Sequence, residues 1–171
     1  MADVLIVMGS DSDLPVMQDA ADVLQKLKIS FKLTIVSAHR TPKRLADFGK
    51  NAAAEGFKVI IAGAGGAAHL PGMLASFSSL PVIGVPVKSS NLSGVDSLYS
   101  IVQMPPGVPV GTMAINGATN AGLFAAQIIG ASDSKTLAKI DKYKKDLEKS
   151  VIEKAEKIEK IGFEKYLKGM K

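Results

Sequence analysis

The sequence predicts an α/β fold, and three observations carry that reading. Short apolar runs alternate with helical patterns from the first residues onward. The runs are continuous rather than alternating, as expected of parallel strands covered on both faces. The loops between them are brief and rich in Gly, Ser and Pro. Together these describe a three-layer α/β/α domain with a mostly parallel sheet, flavodoxin-like or Rossmann-like, followed by a long C-terminal helix.

Val4-Leu5-Ile6-Val7-Met8 is the first strand, broken by Gly9-Ser10-Asp11-Ser12-Asp13. A helix starts at Leu14: Pro15 suits a first turn, and Val16, Met17, Ala20, Ala21, Leu24 and Leu27 recur at three- and four-residue steps. Residues 31–36 form the second strand. Pro42 opens the next helix, with Leu45, Phe48 and Ala52 on one face. Residues 59–62 are the third strand, ending in a glycine cluster, and a short helix follows His69. The fourth strand is 82–85 and the fifth 108–115, with a short helix at 94–102 between them. Alanine-rich residues 118–130 read as a buried helix. From 137 to 167 a single Lys/Glu-rich helix is predicted, with Ile140, Tyr143, Leu147, Val151, Ala155, Ile158 and Ile161 at helical spacing. The chain therefore divides into an α/β domain, 1–131, and a helical extension, 132–171, suited to docking either on its own domain or on a neighbouring subunit.

Composition narrows the function classes. With 47% apolar residues the chain is not disordered. Its apolar stretches are too short to span a bilayer, and no basic region precedes the first run, so neither a membrane span nor a signal peptide is expected. The absence of cysteine excludes disulfides and thiolate chemistry. Cytoplasmic residence is the default. The net charge of +5 does not indicate nucleic acid. Twelve Lys and eight acidic residues lie in 131–171, against nine Lys or Arg and eight acidic residues before them. The excess thus belongs to a helix face of interspersed sign. A phosphate-tracking stripe needs concentration on one element or aromatic interleaving, and there is no tryptophan.

The two histidines each close a loop after a strand. Histidine alone exchanges protons near neutrality at its unperturbed pKa. In open parallel sheets, ligands bind beyond the carboxyl ends of strands. His39, His69 and the loop 9–13 all fall there, which argues for one composite site. The loop 9–13 reads as a helix cap, the commoner use of such residues, with Asp13 as N-cap, or as an anion cradle at a helix N-terminus. It lacks the lysine of a Walker loop and the dinucleotide spacing. Arg40, beside His39, is the only arginine in the three loops, and one bidentate cation suits a single monophosphate. Gly63-Ala64-Gly65-Gly66-Ala67-Ala68 either packs tightly against helices or lets a small molecule approach the backbone. No cluster has metal-ligand spacing.

Four segments carry a resemblance. They are Gly9-Ser10-Asp11-Ser12-Asp13, Ser37-Ala38-His39-Arg40-Thr41-Pro42, Ala62-Gly63-Ala64-Gly65-Gly66-Ala67-Ala68-His69-Leu70-Pro71-Gly72 and Asp96-Ser97-Leu98-Tyr99-Ser100-Ile101-Val102-Gln103-Met104-Pro105. In this order over residues 3–130 they resemble the bacterial 5-(carboxyamino)imidazole ribonucleotide mutases of purine biosynthesis, class I. Segment 114–122 departs by being shorter than the family's usual form. The resemblance implies an isomerase that moves a carboxylate from the exocyclic nitrogen of an aminoimidazole ribonucleotide to the adjacent ring carbon, with no cofactor and no metal. It implies His39 as general acid and base, with Ser10, Arg40 and Ser37 at the phosphate and Asp13 at the ribose. Gly65, His69 and Leu70 would line the base and carboxylate pocket, closed so that carbon dioxide is retained. It also implies a homo-octamer with C-terminal helices reaching across subunits. The alternatives are a carboxylase using free carbon dioxide, and a non-catalytic phosphoribosyl-ligand sensor.

Overall fold

A computed structural model describes residues 2–170. Five strands form one parallel sheet in the order β2-β1-β3-β4-β5: β1 (Val4–Met8), β2 (Phe31–Ile35), β3 (Val59–Gly65), β4 (Val82–Val87) and β5 (Gly111–Thr112). The helices are α1 (Leu14–Lys26), α2 (Pro42–Asn51), α3 (Leu70–Phe77), α4 (Val95–Val102), α5 (Ala118–Gly130), α6 (Ser134–Ile161) and α7 (Phe163–Lys168). The sheet is doubly wound, as predicted.

The unbroken apolar runs have a direct cause. Every residue of β1 is buried, because its alternate side chains serve two cores. Val4, Ile6 and Met8 pack with α1 and α5, whereas Leu5 and Val7 pack with α2, α3 and α4. Met17 of α1 is fully buried over β3, where a Cβ on Gly63 would sit 2.2 Å from its sulfur. Burying such a side chain contributes about 1.5–3 kcal/mol, and only glycine at 63 leaves room for it.

Two expectations are corrected. The fifth strand is not 108–115 but Gly111–Thr112, paired with Ile83 and Gly84 alone. In a parallel strand a residue's N–H and C=O point to the same side. Gly84 and Pro86 turn theirs toward β5, accepting from Met113 and Asn116 at 2.9 and 2.8 Å. Proline returns no N–H, and Asn116 at φ 58 already turns the chain away. Nor is the C-terminal helix continuous to 167. It breaks at Gly162, whose φ of 77° and ψ of 155° form a conformation reserved for glycine.

The first turns of α6 pack on their own domain. Asp133 caps the helix by accepting from Lys135 and Thr136, Ile140 is buried, and Lys26 lies over the Tyr143 ring. Farther along, Leu147, Val151 and Ile152 face outward, with Val151 63% exposed.

Candidate active site

The loops after β1, β2, β3 and β4 meet at the carboxyl end of the sheet, around the switch between β1 and β3 where its winding reverses. The loop after β1 is closed by its own polar groups. The Ser10 N–H donates to Asp13 Oδ2 at 3.1 Å, the Ser12 N–H to Ser10 Oγ at 3.3 Å, and the Ser10 hydroxyl to Asp11 Oδ1 at 2.9 Å. The capping role belongs to Ser10 rather than Asp13, whose side chain caps nothing at α1. Asp13 is a buried carboxylate at the floor of this turn. Burial pushes its pKa up from the ordinary value, and the N–H groups of Ser10 and Gly9 offset that only in part.

In the loop after β2, Ser37 and Thr41 lock the turn. The Ser37 N–H donates to Thr41 Oγ1 and the Thr41 hydroxyl to Ser37 O, both at 3.0 Å. Ser37 Oγ accepts from the Arg40 N–H at 3.2 Å and from Arg40 Nε at 3.3 Å, while Arg40 Nη2 donates to Gly9 O at 3.2 Å. Arg40 therefore ties the first two loops together, aimed by Ser37.

Gly66, at φ 66°, turns the chain after β3, and hydrogen bonds from Ala68 to Gly66 and from His69 to Ala67 tighten the bend. This delivers His69 to the start of α3. Its Nδ1 lies 2.7 Å from His39 Nε2, the rings edge to face at 79°. Of two nitrogens so close, one donates and the other accepts, so they hold a single proton between them.

The cleft thus formed has a volume of about 560 Å³, within the range of small-molecule sites. Ser10, Asp13, Ser37, His39, Arg40, Gly65, His69 and Leu70 all line it. Every candidate site residue named from the sequence is brought together there, whereas the segment 96–105 lines no part of it. The expected closed pocket is not present in the single chain: His39, Arg40, Gly65 and His69 are exposed. A groove of about 710 Å³ at the amino end of β4 is larger, but no titratable side chain lines it. Among the described residues, no group of three or more His, Asp or Glu is placed to hold a metal ion.

A family model described as AIR carboxylase matches residues 3–150. The chain belongs to the AIR carboxylase family. It is 59% identical over 162 residues to the N5-carboxyaminoimidazole ribonucleotide mutase of Thermotoga maritima, covering 95% of each chain. Identity to the mutase of that name from Pyrococcus horikoshii is 54%, over 95% of this chain and 92% of that one. The phosphoribosylaminoimidazole carboxylase of Candida albicans is also 59% identical, but the chain spans only 28% of its length. Among solved structures, Treponema denticola PurE superposes with a TM-score of 0.83 at 27% identity, over 95% of this chain and 100% of that one.

Sequence reasoning overlooked part of the site of this AIR carboxylase family member. Lys88, Ser89 and Ser90, after β4, also line the cleft, so Arg40 is not its one cation. The Lys88 N–H donates to Asn116 Oδ1 at 2.8 Å and the Ser89 hydroxyl to Asp96 Oδ1 at 2.6 Å. The available signal was position alone. Lys88 follows a strand at its carboxyl end, as His39 and His69 do, but without the glycines or histidine that drew attention to the other loops.

Proposed function

We propose that this chain isomerises 5-(carboxyamino)imidazole ribonucleotide to 4-carboxy-5-aminoimidazole ribonucleotide in de novo purine biosynthesis, in the cytoplasm. One observation carries the reading. Residues from three of the four segments resembling the mutase motifs converge on a single cleft, in a chain that matches a mutase over nearly the full length of both.

The chemistry needs one proton carrier and no external energy. Protonated His39 gives its proton to the exocyclic nitrogen as the carbamate C–N bond breaks, with the bonding pair remaining on nitrogen. Carbon dioxide and the aminoimidazole ribonucleotide result. The enamine-like ring carbon then attacks carbon dioxide, forming the C–C bond, and His39 removes the proton from that carbon. The cycle returns the enzyme unchanged, and one imidazole serves as acid and then base. Arg40 and Ser10 hold the phosphate, with Ser37 fixing the guanidinium. Asp13 takes the ribose hydroxyls. Gly65, Leu70 and His69 form the wall beside the base, where His69 orients the His39 ring.

The open cleft requires a cover. The substrate supplies part of it. A homo-oligomer, an octamer by resemblance, supplies the rest, and the outward apolar positions of α6 support such docking.

The test is turnover of the carboxyamino ribonucleotide by purified protein without ATP or bicarbonate. Carbon-carboxylated product is expected, and its absence with folded protein ends the proposal. The equal identity to the Candida carboxylase favours a second assay, supplying the aminoimidazole ribonucleotide with dissolved carbon dioxide. Faster turnover there would assign the chain to the carboxylase reaction. A sensor would bind without turnover in either assay.

A further inference from the structure

The segment Asp96-Ser97-Leu98-Tyr99-Ser100 has no role in the chemistry above, yet it carries the most buried polar side chain near the cleft. Ser97, on α4, is 0% exposed. Its Oγ accepts from the Gly66 N–H at 2.9 Å, and its hydroxyl donates to Val87 O at 2.7 Å. One side chain thereby links the carboxyl ends of β3 and β4. One helical turn on, Ser100 Oγ lies 3.2 Å from Gly66 O and 2.8 Å from Asp96 O, its proton available to either carbonyl. Two serines on one face of α4 therefore address both polar groups of Gly66.

Gly66 is the residue whose positive φ turns the glycine wall toward His69. No Cβ anchors it, and an added one would touch nothing within 4 Å. Its peptide is held by hydrogen bonds to the two serines. The neighbouring Gly65 stands where a Cβ would meet Val87 O at 3.3 Å, so the wall is pressed against the carbonyl that Ser97 binds.

We infer that Ser97, supported by Ser100, is a positioning residue for the reaction: it fixes the Gly66 peptide so that the glycine wall retains carbon dioxide between its release and its recapture. This rests on the mutase reading above. Ser97 touches neither substrate nor the reacting atoms and acts only through the wall.

A purely structural serine and a retaining one differ in what their loss changes. Removing the hydroxyl takes away the acceptor of the part-buried Gly66 N–H and the hydroxyl donor to the Val87 carbonyl, which lowers stability in either case. Only the retaining role changes the fate of carbon dioxide in each turnover. The experiment supplies unlabelled carboxyamino ribonucleotide in ¹³C-bicarbonate buffer with carbonic anhydrase. It measures ¹³C in the carboxylated product and free aminoimidazole ribonucleotide per product formed. Wild-type protein is expected to yield mostly unlabelled product. Ser97→Ala is expected to raise both label and free intermediate several-fold, with KM changed less than kcat. Ser97→Thr, which restores the hydroxyl, is expected to bring retention back toward wild type. Unchanged label and release in folded Ser97→Ala overturn the inference while leaving the mutase reading intact. If wild-type protein makes no product at all, it is the mutase reading that has failed. Should Ser97→Ala not fold, Ser100→Ala decides: increased leakage supports the inference and wild-type retention overturns it.

Discussion

His39 Nε2 and His69 Nδ1 are 2.7 Å apart, across 30 residues of sequence. The contact joins the loop after β2 to the loop after β3 and spans the β1 loop between them. Each ring limits where the other can point. If His39 carries the proton, His39→Asn retains ligand binding and loses turnover by about a hundredfold or more. Calorimetric titration with product and steady-state rates check this, and a rate within a few-fold of wild type removes His39 from the mechanism. His69→Asn, which loses only the orienting partner, is expected to cost less than His39→Asn in the same assay.

Arg40 makes its contacts through a planar fork that reaches Ser37 Oγ and Gly9 O together. Lysine keeps the charge but not the fork. Arg40→Lys is therefore expected to raise KM about 10- to 100-fold, the loss of one or two charged hydrogen bonds, with kcat less affected. Inorganic phosphate should compete with substrate in the wild type and more weakly in the variant.

Asp13 has a pH signature of defined sign. Its folded carboxyl titrates above the ordinary value because of burial, so the folded state holds a proton that the unfolded chain has released. Its contribution to stability is present below the ordinary carboxylate range and is lost as pH rises through the raised value. Asp13→Asn removes that loss. Thermal melts should show the variant gaining on wild type at neutral pH, with the gain shrinking toward pH 3. Activity should fall, since the ribose hydroxyls lose a charged acceptor and one of its two accepting oxygens. A gain that grows with acidity contradicts the assignment.

Helices α1 and α5 touch through Gly122. A Cβ there would lie 2.3 Å from Val23 Cγ1 and 2.9 Å from the Ala20 carbonyl oxygen. Because backbone cannot yield as a side-chain end does, Gly122→Ala is expected to destabilise by about 1–3 kcal/mol, read from urea unfolding.

Val151 is 63% exposed on α6. If this face docks on another copy, Val151→Glu lowers the mass in light scattering. The monomer's stability should stay within about 0.5 kcal/mol, as is usual for a surface change. Unaltered mass refers assembly to another face.

The central strands were legible because β1, β3 and β4 are buried on both faces and so must be written in continuous apolar residues. Boundaries set by single backbone groups were not. The short β5 depends on which side Pro86 turns its missing N–H, and register is invisible in one strand's sequence. At 162 the hydrophobic spacing continues across the break, so periodicity runs straight through a glycine that the backbone uses to stop. The site was legible as a set of loops because strand ends collect ligands. The contact between the histidines was not, since composition gives the loop but not the direction of a ring. Ser97 lay hidden for a related reason: a serine inside an amphipathic helix resembles solvent-facing filler until its burial is known.

The brevity of β5 and the proline beside it leave that margin of the sheet with few free backbone groups to offer another strand, a blunted edge that resists strand-to-strand aggregation. Copies of this chain that meet at this margin do so through helices and loops rather than by strand pairing. A neighbouring copy can then cover the strand ends where the substrate enters without adding a strand to the sheet, so that assembly there does not propagate.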